Sequence, residues 1–126
     1  MGTLNAILQE GAASLIRLED LLKKKSLINT TESKKVLSLV KGKIKFSNVS
    51  YYYNYEEYTL TKINCTINAG EQVVIVGANG SGKSTFINLI PRLMDPIKGN
   101  VYIDDQNIKK LHLKSLRESI ALVSQD

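Results

Sequence analysis

"EQVVIVGANGSGKSTFINLI", residues 71–90, decides how the rest of the chain is read. Its opening holds a short apolar run without alternation, Val73 to Val76. That pattern predicts a strand buried on both faces, as in a parallel sheet. Its end, from Lys83 onward, predicts a helix that stops at Pro91. Between them Gly77, Gly82, Lys83 and Ser84 meet the spacing Gly-x4-Gly-Lys-Ser/Thr. Four such constrained positions coincide by chance in about one in a couple of hundred chains of this size. A strand before and a helix after complete the setting that the motif requires.

The residue types explain the chemistry. Glycines permit backbone conformations in which successive N–H groups point into one concavity. The start of the following helix adds its positive end. Lys83 brings a full charge to the outer phosphates of a nucleotide, and Ser84 a hydroxyl for Mg²⁺. The loop from Gly77 through Ala78, Asn79, Gly80, Ser81, Gly82, Lys83 and Ser84 to Thr85 is therefore a phosphate cradle. It does not select a base. Upstream stand Tyr51, Tyr52 and Tyr53, and alternation puts Tyr51 and Tyr53 on one face. On strand propensity alone these are ordinary strand tyrosines.

On either side, the pattern is that of a sheet. "KIKFSNVSYYY" (43–53) alternates, with Ile44, Phe46 and Val49 inward, and "YTLTKINCTI" (58–67) alternates again before the turn Asn68-Ala69-Gly70. These two strands are expected to pair antiparallel. Gly99 opens a further strand, "NVYIDD"; a short helix through "LKSLRESI" leads to a last apolar strand at 120–124. Strand–helix–strand order around a parallel core is α/β.

The N-terminal part is different. Residues 3–25 read as one amphipathic helix, with Leu4, Leu8, Leu15, Leu18 and Leu22 in an apolar stripe that Gly11 interrupts. Periodicity leaves open whether it packs on its own domain or on other helices. Residues 26–42 are polar and small, as in a linker.

Composition narrows the function classes. The chain has 126 residues, 43% of them apolar and 23% charged, values of a soluble globular domain. No apolar run approaches the roughly 20 residues of a membrane span, and no signal-peptide pattern opens the chain. The net charge of +5 lies mostly before residue 43, where seven Lys/Arg face four Asp/Glu. Lys23, Lys24 and Lys25 have no interleaved aromatics, so they read as a solvated helix end, not a nucleic-acid platform. Cys65 is alone, which excludes a disulfide framework within one chain and suits a cytoplasmic setting.

Taken in order, "FSNVSYYY", "INAGEQVVIVGANGSGKST", "NLIPRLMDPIKGNVYIDD" and "LKSLRESIALVSQD" resemble the first half of the nucleotide-binding domain of ATP-binding-cassette transporters of the exporter type. The resemblance covers about two thirds of the chain. It implies an incomplete P-loop NTPase-like α/β fold, with a parallel sheet and an antiparallel β subdomain, over residues 43–126. It implies that Tyr53 stacks on adenine, that Asn79 through Thr85 wrap the phosphates of ATP, and that Ser84 and Gln125 serve Mg²⁺. Gln125 matches the Q-loop glutamine, which in the family also touches the attacking water. "GAASLIRLEDLLKKK" is similar to the cytoplasmic end of an exporter's last membrane helix, so residues 1–25 are expected to belong to a transmembrane domain. The implied partners are that domain and a second nucleotide-binding domain; the implied place is the cytoplasmic face of a membrane.

The sequence also departs from the family. Asp105 stands where the family has glycine in a tight hairpin turn. Leu-Ser-Gly-Gly-Gln does not occur, and "VYIDD" lies too close behind the loop to be the second acidic motif. His112, the only histidine, precedes the Q-loop and reads as a surface residue at a helix start, not the family's switch histidine. The expectation is an N-terminal fragment of an exporter ATPase that binds ATP–Mg²⁺ at most and does not turn it over. A regulatory module docking on an intact transporter, and a self-sufficient small P-loop kinase or GTPase, are the competing readings.

Overall fold

The computed structural model describes residues 2–23, 28, 35–37, 41–54 and 58–123. Its elements are α1 (Gly2–Lys23), β1 (Ile44–Tyr51), β2 (Leu60–Ile67), α2 (Lys83–Leu89), β3 (Lys98–Ile103), β4 (Gln106–Asn107), a 3-10 turn (Ile108–Lys110) and α3 (Leu113–Glu118). The strands form one sheet in the order β2-β1-β3-β4, antiparallel throughout.

The apolar alternation of β1 is broken once, and the break is structural. Phe46 and Val49 are both buried although they lie three residues apart. A register shift falls between them on both sides of β1, and Asn48 carries a φ of 52°. This β-bulge turns Val49 back toward the core. The irregular backbone is satisfied from β2 and from β1 itself. The Asn48 N–H donates to Asn64 Oδ1 at 2.8 Å, and the Lys62 N–H to the buried Ser50 hydroxyl at 2.9 Å. Gly99 of β3 is packed against the bulge: a Cβ there would lie 2.2 Å from the Asn48 carbonyl oxygen, at a φ of +78°.

One face of the sheet carries the core. Phe46, Val49, Val101 and Ile103 meet Leu89 of α2, Ile108 and Leu111 around the 3-10 turn, and Leu116 of α3. Phe86 of α2 stacks on Phe46 with ring centroids 4.1 Å apart. Helix α2 ends ahead of Pro91, as its sequence requires, and His112 is the exposed N-cap of α3. The segment after α2 is locked by an ion pair from the buried Arg92 to the half-buried Asp95, at 2.8 and 3.0 Å, with Arg117 donating to the carbonyls of Pro91 and Arg92. The described part of the linker stretch is attached to the domain: Lys35 bridges Leu111 in parallel, and Leu37 is buried in the core.

Residues 104 and 105 form the β3–β4 turn, with φ of 48° and 60°. Two positive φ values are what a type I′ hairpin needs, and aspartate tolerates them. Asp105 in place of glycine therefore keeps the turn. The Asp104 carboxylate accepts three backbone N–H groups, from Lys41, Gly42 and Lys43, at 2.7–3.3 Å. Desolvation would raise its pKa, but these hydrogen bonds together outweigh it and hold the group below its ordinary value.

Two expected strands are absent among the described residues. Residues 71–78 run without any ladder, and 120–123 likewise. Val74 and Val76 are each 84% exposed, and Val123 is 94% exposed. A strand of the buried parallel type needs hydrogen-bonded neighbours and a layer on each face, and the described residues supply neither. Helix α1 agrees with the expected helix and runs unbroken through Gly11. Its Leu15, Leu18 and Leu22 are exposed.

Two outcomes follow from this packing. Gly99→Ala strains both the φ and the contact with the bulge, and is expected to cost about 3 kcal/mol or more in urea unfolding. Asp104→Asn keeps the turn but removes a charged acceptor, and is expected to cost about 1 kcal/mol at pH 7, a value at the low end because water reaches the carboxylate. The lowered folded pKa gives the sign: the Asp104 contribution is complete above the unfolded value and disappears as pH falls through the folded one. The difference in stability between parent and variant should therefore shrink on acidification below about pH 4.

Candidate functional site

Gly82 positions the site. It is the N-cap of α2 in the left-handed conformation, with φ 87°. A Cβ on it would lie 2.8 Å from the Thr59 carbonyl oxygen and 2.9 Å from Leu60 Cδ2. Only glycine allows this approach, so the phosphate-cradle loop is pressed against the start of β2. Gly80 is also left-handed, at φ +80°. Left-handed glycines within such a loop are the condition for N–H groups to face a common concavity. The Ser81 N–H closes a turn on the Ala78 carbonyl at 3.2 Å, and the Phe86 N–H starts α2 on the Gly82 carbonyl at 2.8 Å.

Lys83 folds back over the loop. Its ammonium donates to the carbonyls of Gly77 and Ala78 at 2.8 and 2.7 Å. Tyr53 stands at the mouth, 61% exposed, with its hydroxyl 3.2 Å from Oγ1 of the buried Thr85. Its ring meets that of Tyr51 edge-on, centroids 5.1 Å apart, as alternation anticipates. Burial, and then the neighbouring Tyr53, push the Tyr51 hydroxyl pKa up. Tyr53, Thr59, Asn79, Gly80, Ser81, Gly82, Lys83, Ser84 and Thr85 line one hollow of about 470 Å³.

The structure thus brings the loop residues and Tyr53 together. Gln125 lies outside the described residues. Sequence reasoning missed Thr59, whose carbonyl receives the loop, and missed the Tyr53–Thr85 contact. The three-tyrosine run was the only signal that could have pointed to the latter. Among the described residues, no group of three or more His, Cys, Asp or Glu could hold a metal. No described helix is long and apolar enough to cross a membrane.

Comparison with known proteins decides the family. A model of the ABC transporter family matches residues 60–126, slightly more than half of the chain. The chain belongs to the ABC transporter family. It is 39% identical, across 98% of its length, to the mitochondrial iron-sulfur clusters transporter ATM1 of Chaetomium globosum, of which it covers 21%. It is 48% identical over 94 residues to ABC transporter B family member 13 of Arabidopsis thaliana, 73% of this chain and 8% of that protein. An ATP-dependent lipid A-core flippase of Wigglesworthia glossinidia brevipalpis is 42% identical over 71% of this chain, which covers 16% of that protein. Among solved structures, a bacterial Atm1-family ABC exporter with ATP bound matches 86% of this chain with a TM-score of 0.74 and 28% identity. This chain spans 19% of that one. The fold is accordingly an incomplete α/β P-loop NTPase fold, and it belongs to the ATP-binding domain of ABC exporters.

The close approach at Gly82 makes a direct prediction. Gly82→Ala should lower stability by about 2 kcal/mol or more, because backbone and a buried leucine obstruct the new methyl. Gly80→Ala meets nothing within 4 Å and bears only the strain of positive φ, so it should cost less in the same thermal melt.

Proposed function

We propose that this chain supplies the first part of the nucleotide-binding domain of an exporter, over residues 43–126, and that the hollow at the phosphate-cradle loop takes ATP. The observation that carries the reading is the set of groups around one hollow: two left-handed glycines, the Lys83 ammonium, the Ser84 and Thr85 hydroxyls, and an exposed tyrosine ring. Backbone N–H groups and Lys83 hold the phosphates, which are anionic before any reaction starts. Tyr53 offers its ring to the base. Ser84 is exposed in the first turn of α2 and its hydroxyl oxygen is of the type a hard cation accepts. Mg²⁺ fits there because it commonly takes one or two protein oxygens and fills its remaining positions with phosphate oxygens and water. When bound it neutralises charge on the phosphates. Gln125 is proposed as its further contact and as the group that orients the attacking water.

In this reading residues 1–25 are the cytoplasmic end of a membrane helix and 26–42 the connection. The partners are a transmembrane domain and a second nucleotide-binding domain, and the place is the cytoplasmic face of a membrane. The export of a substrate is a property of that whole assembly.

This 126-residue chain by itself is expected to bind ATP–Mg²⁺ weakly and not to turn it over. Lys83→Ala should weaken ATP binding about tenfold or more, as loss of a charge-assisted contact does. Calorimetric titration of ATP and a phosphate-release assay check both statements. Binding unaffected by Lys83→Ala sinks the site, and Lys83-dependent turnover at rates of about 1 s⁻¹ or more, those of a working enzyme, sinks the second.

A further inference from the structure

Residues 35–37 are joined to the domain through α3 and the turn before it. Lys35 is pinned on both sides: its N–H donates to the Lys110 carbonyl at 3.1 Å, and its carbonyl accepts from the His112 N–H at 2.9 Å. The Leu37 N–H donates to Ser115 Oγ at 3.3 Å, and that hydroxyl donates to the His112 carbonyl at 2.9 Å. The same carbonyl accepts the Leu116 N–H at 3.0 Å, the bond that starts α3. The Leu37 side chain is buried in the cluster that holds Leu111 and Leu116. A second attachment differs in place and in kind. Lys41, Gly42 and Lys43 give their N–H groups to the Asp104 carboxylate in the β3–β4 turn. Followed from its start, the described chain ahead of β1 thus meets α3 first and the sheet second.

The first attachment is small. It sets the burial of one leucine and a few hydrogen bonds against the conformational entropy of the residues that make them, quantities of the same order. The ladders that hold β1 to β2 and β3 are much longer. Contacts of so small an extent open locally at a fraction of the cost of unfolding a sheet.

We propose that residues 35–37 are a clasp on α3. Chain and helix become ordered and open as one unit, separately from the sheet, and a displacement of the chain ahead of residue 35 reaches α3 before it reaches β1. The regulatory role of the clasp rests on the function proposed above, in which residues 1–25 belong to a membrane helix and α3 leads along the chain to Gln125. Movement of that helix then bears on the group assigned to the attacking water through the polypeptide itself.

The test is amide hydrogen exchange on the full chain without nucleotide, so its failure is distinct from failure of the ATP reading, which Lys83→Ala reports. Lys35→Pro removes the donor to Lys110 and leaves residues 36–126 unchanged. Exchange at His112 and Leu116 should rise about fivefold, as loss of one neutral hydrogen bond does, while amides of β1 stay within about twofold of the parent's. Ser115→Ala breaks the clasp from the helix side. It should raise exchange at Leu37 about fivefold, because coupling between two sites is reciprocal. Leu116 exchange within about twofold of the parent's in Lys35→Pro overturns the proposal, as does unchanged Leu37 exchange in Ser115→Ala. An equal rise in α3 and β1 overturns it too, because residues 35–37 then add only to the stability of the whole domain.

Discussion

The missing Cβ of Gly82 is the constraint on which the site depends. The phosphate-cradle loop has no strand ladder to hold it, since residues 71–78 are unpaired. Its support comes from the antiparallel sheet, through the approach of Gly82 to Thr59 and Leu60. The same turn of chain starts α2, whose Phe86 stacks on Phe46 of β1 and whose Thr85 meets Tyr53. Loop, helix and sheet therefore meet over residues 82–86. A side chain at 82 would push apart the two surfaces that place Tyr53 over the loop.

The unpaired segment 71–76 and its valines show what a sequence pattern states and what it leaves open. A non-alternating apolar run states the surroundings a segment is suited to: neighbours along its edges and apolar layers on both faces. It does not state who provides them. Here the described residues provide none, and Val74 and Val76 stand in solvent. Structural agreement with the ATP-bound exporter covers 86% of this chain but only 19% of that longer one. The pattern at 71–76 and the geometry observed there are therefore compatible. The first concerns the fold type, and the second the part of that fold described in this chain.

Local chemistry made the rest of the fold legible. Alternation found β1 and β2, Gly99 marked the start of β3, Pro91 marked the end of α2, and the glycine spacing found the loop. What escaped were contacts made by side chains far apart in sequence. The bulge at Asn48 is stabilised by Asn64, sixteen residues away, and by Gly99 from a third strand. The Arg92–Asp95 pair is close in sequence, but the burial of Arg92 depends on the packing around Arg117 and the Lys109 carbonyl. Lys35 and Leu37 read as linker because their partners, Leu111 and Ser115, lie more than seventy residues on. Of the candidate site, spacing pointed to the loop and resemblance to Tyr53, and the two line one hollow. The support at Thr59 was not legible, because a backbone carbonyl leaves no mark on the sequence.

The groups that line the phosphate hollow also bear on the difference between holding and cleaving. They are amides, hydroxyls and one ammonium, together with a phenol at the mouth. All interact with charge that a nucleotide carries from the outset, and the Lys83 ammonium is already oriented by two loop carbonyls before any anion arrives. Interactions of equal strength in ground and transition states increase affinity and leave the chemical step unchanged. Acceleration requires groups aimed at the charge that develops during attack of water, and a group that orients the water itself. Among the described residues, no carboxylate or imidazole lines this hollow. An intact phosphate-cradle loop is thus a statement about binding. In a family whose members hydrolyse ATP, the rate must come from groups brought to this hollow from beyond its present lining.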